Sequence, residues 1–230
     1  MSRSDYLMNQ IEQLTKVIGT ILGLRQEQKP IEVQNTIDEF LKRQFGLTLN
    51  LLRSLQVNEL VKMHTKHEML DTEKLFSLAK LLRVASDPNP SHTTDEKRIE
   101  KAREEHYHDQ LKALHLILIC ANSDSKPNEE FISEIDSILS DLRSYVIPYE
   151  IGRLVWAYYE QQGKFAQAED LLFTMLTDDR AIGGTRIPAL TTEGAAFYDR
   201  LLARDDAQLE TGNLPRIEIE ASLIELNKWK

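Results

Sequence analysis

Histidines and glutamates at helical spacing are the first residues of this chain whose types could carry chemistry. His64 and His67 lie three positions apart, and Glu105 and His108 form one Glu-x-x-His pair. Imidazole and carboxylate groups on one helix face can ligate a metal ion. A di-iron site between helices needs two such pairs and two further glutamates, whereas this sequence supplies one pair. We therefore expect no metal site and interpret these histidines as surface or capping residues.

A second group of histidines, His106, His108 and His115, falls on one predicted helix. His108 and His115 are two turns apart, roughly 10 Å along the helix axis, which is too far for both to bind one ion. Titratable residues that are distant in sequence can still converge in space. A polar pocket near His64 and His67, or near this second group, would indicate an enzyme or a small-ligand sensor, and we keep that as the alternative function.

The loop that follows Asp179 is the candidate anion site. Gly183 and Gly184 can expose backbone N–H groups there, and Arg180 and Arg186 add positive charge. The loop has no P-loop pattern and follows no predicted strand. It is therefore either an anion site, which would serve the same enzyme or sensor function, or a flexible connector between helices.

No recognisable catalytic group stands out in the sequence. Cys120 is the only cysteine, so no disulfide can form within the chain. It lies in the apolar run 113–121, where a thiol normally acts as a small buried hydrophobe. The chain has no Ser-His-Asp order and no nucleophile-elbow motif. We predict no catalytic residue and no cofactor, and we favour a protein that is not an enzyme.

The charge balance argues against one class of partner. The chain has 230 residues and a formal net charge of −9. A nucleic-acid-binding protein needs a positive face that neutralises phosphates. The densest basic stretch, residues 97–103, is interleaved with glutamates that pair along a helix face. We therefore expect no binding to nucleic acid.

The hydropathy pattern predicts no membrane segment. The longest apolar stretch contains His115 and falls well short of the ~20 residues that cross a bilayer. The first residues also lack the cationic and apolar regions of a secretion signal. We therefore expect a cytoplasmic protein without membrane contact.

Apolar residues recur at helical spacing along nearly the whole chain. This period predicts an all-α fold of about nine or ten helices that pair as antiparallel hairpins. The segment 87–94 contains two prolines among small polar residues, a composition that predicts an exposed connector. It divides the chain into an N-terminal lobe, 1–86, and a C-terminal lobe, 95–230, which can still pack as one body.

The first predicted helix carries a regular apolar seam. Its apolar positions follow a 4-3-4-3 spacing: Leu7, Ile11, Leu14, Ile18 and Ile21. Gly19 and Gly23 on the same helix would permit close approach of another helix. The seam can pack inside the chain, or it can form a homodimer through residues 5–27.

Residues 148–177 contain the pattern of a known helical hairpin. Tyr159, Gly163, Phe165 and Ala168 have the spacing of a tetratricopeptide repeat. In such a hairpin a glycine ends the first helix, an aromatic ring packs across the turn, and alanine lets the second helix approach. The segment therefore resembles a tetratricopeptide-type hairpin.

The resemblance leaves the overall arrangement open. Trp156 stands where the tetratricopeptide family prefers a small residue, and Arg180 stands where it usually has proline. One hairpin alone cannot bury the continuous core of a repeat array. The hairpins therefore form either a tetratricopeptide-like array or an irregular helical bundle.

The sequence also resembles a family of uncharacterised bacterial proteins of similar length. The resemblance rests on the opening residues 5–7 and 11–14, on the segment 156–159, and on the closing residues 212–215. It implies no activity.

We predict a noncatalytic scaffold that binds a protein or peptide partner in a groove between hairpins. Trp156, Tyr158 and Tyr159 are the predicted anchors, provided that they face outward. The alternative interpretation for these three rings is packing in the core.

Overall fold

The computed structural model describes residues 3–88, 94–123 and 128–229, and for residues 3–11 it describes the backbone alone. These described residues form twelve helices and one short β-hairpin: α1 (Arg3–Gln26), α2 (Pro30–Phe45), α3 (Leu49–Ser54), α4 (Val57–Met63), β1 (Thr65–Lys66), β2 (Met69–Leu70), α5 (Thr72–Ala85), α6 (Glu96–Ser123), α7 (Glu129–Asp141), α8 (Tyr149–Gln161), α9 (Phe165–Ala181), α10 (Ile187–Leu202), α11 (Asp206–Thr211) and α12 (Arg216–Asn227). The all-α prediction is confirmed, with more helices than expected. The six residues of α11 are too few to show a helical period, so the hydrophobic pattern did not predict this helix.

Polar side chains and one glycine set several helix boundaries. Gly46 ends α2 in the left-handed conformation with φ 68°, as the sequence predicts. The Asp71 carboxylate accepts a hydrogen bond from the Lys74 backbone N–H at 3.2 Å and starts α5. The Asp205 carboxylate accepts from the Gln208 N–H at 2.8 Å and starts α11.

The chain divides into two compact units, which we call the N-terminal unit (Met1–Val146) and the C-terminal unit (Ile147–Lys230). The sequence instead places a boundary at 87–94, of which residues 89–93 lie outside the described residues. In the structure α5 and α6, on either side of this segment, pack against each other within the N-terminal unit. A proline-rich segment ends two helices whether it joins two lobes or the two arms of one hairpin, so composition does not distinguish these cases.

In the N-terminal unit α5, α6 and α7 pack against one another. The Cys120 thiol near the end of α6 lies 3.6 Å from the carbonyl oxygen of Thr72 at the start of α5, so the two helices are antiparallel. The rings of Phe76 and Phe131, near the starts of α5 and α7, have centroids 4.7 Å apart. Helix α7 therefore runs parallel to α5.

Helix α6 is surrounded by other elements along its second half. Leu114, Leu116, Ile117, Leu118 and Cys120 are all fully buried, although they point in different directions around the helix. The sequence predicts this burial, since apolar side chains occur there on every face. This half of α6 therefore forms the centre of the hydrophobic core of the N-terminal unit.

A partly buried ion pair fixes α3 to α6. Arg53 donates hydrogen bonds from Nε (3.0 Å) and Nη2 (2.6 Å) to the two carboxylate oxygens of Asp109. The Asp109 side chain is only 4% exposed. One turn later Lys112 Nζ donates to the carbonyl oxygens of Arg53 (2.6 Å) and Leu55 (2.7 Å), which lie at the end of α3. Burial lowers the pKa of the Lys112 ammonium.

The C-terminal unit stacks successive hairpins around one core. Helices α8 and α9 form the hairpin at 148–177, and Gly163 makes its turn with φ 70°. In the next layer Gly194 of α10 lies between α9 and α12: a Cβ at this position would be 2.8 Å from Leu172 Cδ2 and 3.0 Å from Leu226 Cδ2. A small residue at Gly194 therefore allows three helices to meet closely.

Gly212 holds the turn after α11 against the α8–α9 hairpin. A Cβ built on Gly212 would lie 2.2 Å from Phe165 Cδ2 and 2.7 Å from the carbonyl oxygen of Gly163. The Gly212 carbonyl also accepts a hydrogen bond from the Ala166 N–H at 3.1 Å. Because Phe165 is 2% exposed, its ring is enclosed and the backbone of Gly212 packs directly on it.

The structure describes the predicted dimer segment, 5–27, only in part, because the side chains of residues 5–11 lie outside the described residues. Leu14 and Ile21 of the apolar seam are buried in the N-terminal unit, whereas Leu22 is 46% exposed. Among the described residues, no atom lies within 4 Å of a Cβ built on Gly19 or Gly23. Dimerisation through this helix stays a prediction.

We expect Gly19→Ala to stabilise the protein by about 0.5–1 kcal/mol, because alanine loses less backbone entropy than glycine in a helix interior. Urea unfolding followed by far-ultraviolet circular dichroism measures this change, and analytical ultracentrifugation of the same samples measures the oligomeric state. A less stable variant that dissociates would instead indicate close helix contact at Gly19 within a homodimer.

Over the described ranges, the helices are too short or too polar for any of them to traverse a lipid bilayer.

Candidate functional site

A charged groove runs between α8 and α10 on the C-terminal unit. Arg153 Nη2 of α8 lies 2.9 Å from Glu193 Oε1 of α10. Seven residues further along each helix, Arg200 donates from Nε and Nη2 to the two oxygens of Glu160, at 2.7 Å each. Both bridges join residues forty positions apart in sequence, so α8 and α10 run parallel. The groove encloses about 600 Å³, and Trp156 lines it between the two bridges.

The helical period places these side chains on facing surfaces. Residues 153, 156 and 160 of α8 follow one another at three- and four-residue steps and share one face. Residues 193, 196 and 200 of α10 do the same. The charges are reversed between the two helices, with Arg then Glu on α8 and Glu then Arg on α10. Sequence reasoning missed the four charged residues, and this reversed order was the signal that could have found them.

Trp156 has an unsatisfied polar atom beside the groove. Its side chain is 6% exposed, and its ring meets that of Phe197 edge-on with centroids 5.5 Å apart. The indole Nε1–H is buried, and no hydrogen-bond acceptor reaches it among the described residues. A buried donor without an acceptor costs about 1–3 kcal/mol, so a ligand carbonyl that reached this N–H would recover part of that cost.

The two predicted tyrosine anchors differ in exposure. Tyr158 is fully buried, whereas Tyr159 is half-buried. The Lys164 ammonium lies 5.6 Å from the centroid of the Tyr158 ring and 5.9 Å from that of Tyr159, within the range of cation–π attraction. Core packing therefore accounts for Trp156 and Tyr158, and of the three predicted anchors Tyr159 keeps the most solvent contact.

The structure does not bring Arg180 and Arg186 together on one anion site. The Arg180 guanidinium stacks on the Trp229 ring, with Cζ 3.6 Å from the ring centroid. The Arg186 guanidinium lies over the Tyr149 ring, 4.5 Å from its centroid. Each arginine is thus held by a different aromatic ring.

Asp179 already uses the N–H groups that an external anion would need. Its Oδ2 accepts hydrogen bonds from the backbone N–H of Arg186 at 2.7 Å and of Ile187 at 3.1 Å, at the start of α10. The Asp179 side chain is 2% exposed, so this carboxylate is an internal cap for α10. An anion from solution would have to displace it.

The first histidine pair occupies the end of α4 and the adjoining β-turn. His64 is 8% exposed, and its Nδ1 lies 2.8 Å from the carbonyl oxygen of Leu60. His67 is exposed in the turn between β1 and β2, with φ 49°. His64 therefore has the capping role that the sequence suggests.

The second histidine group is spread around α6. His106 Nδ1 lies 3.2 Å from Ser86 Oγ, and burial lowers the pKa of this imidazole. His108 is exposed with Nε2 3.9 Å from Glu104 Oε1, and His115 is half-buried. In the parts of the chain with described side chains, no three His, Cys, Asp or Glu residues are grouped so that they could hold a metal ion.

Comparison with known proteins gives a match to one protein family. No curated protein and no solved structure matches the chain. The model of a family of unknown function matches residues 1–230, which confirms the resemblance to an uncharacterised family. Because this match spans the whole sequence, the chain belongs to the family of unknown function DUF6483.

Proposed function

We propose that this protein is a noncatalytic helical scaffold that binds a peptide segment of a partner protein in the groove between α8 and α10. The observation that carries the proposal is Trp156, which lines a groove of about 600 Å³ and whose buried indole N–H has no acceptor in the described structure. A peptide backbone offers a carbonyl oxygen at every residue, so it is the simplest ligand for such a donor.

The order of the helices supports a tetratricopeptide-like arrangement for the C-terminal unit. Helices α8 and α9 form one hairpin, α10 and α12 pack as a second, and the first helices of the two hairpins, α8 and α10, are parallel. Repeated hairpins of this kind create a surface lined by their first helices. In this arrangement Trp156, which departs from the family pattern, lines the groove.

The lining of the groove indicates the chemistry of the peptide. Leu154, Ala157 and Ala196 give the groove an apolar part, while its arginines and glutamates carry both signs of charge. Surface ion pairs contribute roughly 0–1 kcal/mol each, so a peptide can replace one at small cost. We propose a short peptide with a small apolar residue flanked by one acidic and one basic side chain.

The proposed location is the cytoplasm. The only cysteine, Cys120, is buried, and the chain has no partner cysteine for an intramolecular disulfide. A protein without disulfides suits a reducing compartment.

Substitution of Trp156 tests the groove. We expect Trp156→Phe to weaken binding of peptides selected from a random displayed library about 5- to 10-fold, because phenylalanine keeps a ring but lacks the N–H donor. Isothermal titration calorimetry on the full chain measures the dissociation constants.

The other tryptophan provides the matched control. Trp229 lies under Arg180 and does not line the groove, so Trp229→Phe should change the affinity less than about 2-fold. The proposal fails if the library yields no binder, or if the selected peptides bind Trp156→Phe as tightly as the unsubstituted protein.

A further inference from the structure

A cavity in the N-terminal unit has a positively charged lining that the sequence pattern did not reveal. It has a volume of about 340 Å³ and lies where the end of α1, the start of α2 and the first turns of α6 come together. Five cationic residues line it: Arg25, Lys29, Arg53, Arg98 and Lys101. Asp87 and Glu105 are the acidic residues of the lining. Two of the cations are paired with carboxylates outside the lining, Arg53 with Asp109 at 2.6 Å and Lys29 with Glu27 at 2.8 Å. The other three cations, Arg25, Arg98 and Lys101, still outnumber the two acidic residues of the lining.

Arg25 is a fixed positive charge in this cavity. Its Nη2 donates to the backbone carbonyl oxygens of Val84 at 2.5 Å and of Ser86 at 2.6 Å. These acceptors are neutral, so they orient the guanidinium without cancelling its charge. Burial lowers the pKa of Arg25, while the negative charges of Asp87 and Asp109 act in the opposite direction. An arginine nevertheless stays protonated in proteins.

Arg98 and Lys101 are exposed charges at the rim. Their side chains are 77% and 76% exposed. Arg98 lies 3.6 Å from Asp95, and Lys101 lies 3.8 Å from Glu105, each within one helix turn. Such exposed pairs contribute only about 0.3–0.5 kcal/mol, so both cations can turn towards a ligand.

The cavity also has an apolar wall. Val33 and Leu49 are buried and line it, together with Pro30, Ala85 and Ala102. A bare inorganic ion would leave this wall unused. A volume of about 340 Å³ is near the lower end for small-molecule sites, which span roughly 300–1,000 Å³.

We propose that this cavity binds a phosphorylated small molecule, with the phosphate among Arg25, Arg98 and Lys101 and the organic part on the apolar wall. A phosphate monoester carries close to two negative charges at neutral pH, which suits a lining with excess positive charge. Arginine guanidinium groups favour phosphate because their planar donors match its oxygens. The site lies in the N-terminal unit and is independent of the peptide groove.

Charge reversal at the rim tests the site. The full chain is titrated calorimetrically with AMP, glucose 6-phosphate, inorganic phosphate and uncharged adenosine. We expect at least one of the two organic phosphates to bind more tightly than inorganic phosphate, and adenosine not to bind. The double variant Arg98→Glu with Lys101→Glu should weaken that organic phosphate at least about tenfold, because two attractive charges become repulsive.

A control variant on the same helix shows whether weaker binding arises from the loss of a specific site or from the change in the net charge of the protein. Lys97→Glu with Arg103→Glu makes the same change in net charge at two exposed positions that do not line the cavity. It should alter the dissociation constant less than about 2-fold at 0.15 M salt, where screening is effective. Circular dichroism verifies that both double variants are folded.

Several outcomes would overturn the proposal. They are no binding of either organic phosphate at millimolar concentration, equal weakening by the two double variants, or inorganic phosphate binding as tightly as the organic phosphates. Equal binding of adenosine and AMP would also overturn it. The Trp156→Phe variant should bind the phosphate probe normally, so failure here is distinct from failure of the peptide groove.

Discussion

Gly212→Ala should destabilise the C-terminal unit by about 3 kcal/mol, at the upper end of the cost of overpacking a core. The new Cβ would lie 2.2 Å from Phe165 Cδ2 and 2.7 Å from the Gly163 carbonyl oxygen. One of these atoms belongs to an enclosed ring and the other to the backbone, so neither can withdraw cheaply. Gly212 has φ −80° and ψ 6°, a conformation open to alanine, so the whole effect is steric.

Hydrogen exchange measures the loss of stability in the individual helices of the C-terminal unit. Amide protection in α8, α9 and α10 should fall in Gly212→Ala, and the urea midpoint of the C-terminal unit should fall with it. Gly19→Ala is the matched control, because the same substitution there meets open space and should stabilise.

A double-mutant cycle with Phe165→Leu identifies the clash. The smaller side chain should make Gly212→Ala less costly, with a coupling energy of about 1 kcal/mol or more. A Gly212→Ala protein within about 0.5 kcal/mol of the unsubstituted one would show that the turn after α11 moves freely.

Arg53→Met should destabilise the N-terminal unit by about 3–5 kcal/mol, since it leaves the Asp109 carboxylate buried without its guanidinium. The two residues form a bidentate pair at 3.0 and 2.6 Å, and Asp109 is 4% exposed. Methionine keeps the apolar stem of the arginine, so the loss arises mainly from the charge. Urea unfolding followed by circular dichroism measures the free energy.

Two further variants decide whether the unpaired charge of Asp109 causes the loss of stability in Arg53→Met. Replacing both partners, as in Arg53→Met with Asp109→Leu, should recover much of the stability, because no unpaired charge remains. Arg98→Met removes an arginine that is 77% exposed and should change the free energy of unfolding by less than about 0.5 kcal/mol. Equal losses for Arg53→Met and the double variant would assign the effect to packing instead.

The long helices could be predicted because their apolar residues repeat over several turns. The predicted second helix, from about residue 31 to Phe45 with Gly46 at its end, agrees with α2 within one residue at each boundary. Helix α11 escaped prediction because it is a single short stretch between two loops. Its cap, Asp205, is a recognisable signal, but a cap without a periodic segment behind it does not define a helix.

The candidate site could be predicted less well, because burial depends on neighbours far away in sequence. Trp156 and Tyr159 lie three residues apart on one side of α8 and Tyr158 lies on the other, and the positions of the neighbouring helices decide which ring is covered. Asp179 illustrates the same difficulty: its carboxylate caps a helix that begins eight residues later. Ordinary capping patterns span three residues, so sequence inspection did not connect the two.

Both tryptophans of the chain, Trp156 and Trp229, belong to the C-terminal unit. Intrinsic indole fluorescence is therefore a built-in reporter for that half of the molecule, while the N-terminal unit emits only through its tyrosines. Excitation at the red edge of the absorption band will follow unfolding of the C-terminal unit alone. A denaturation curve recorded this way beside one recorded by circular dichroism will reveal whether the two units unfold together or in sequence, without any label.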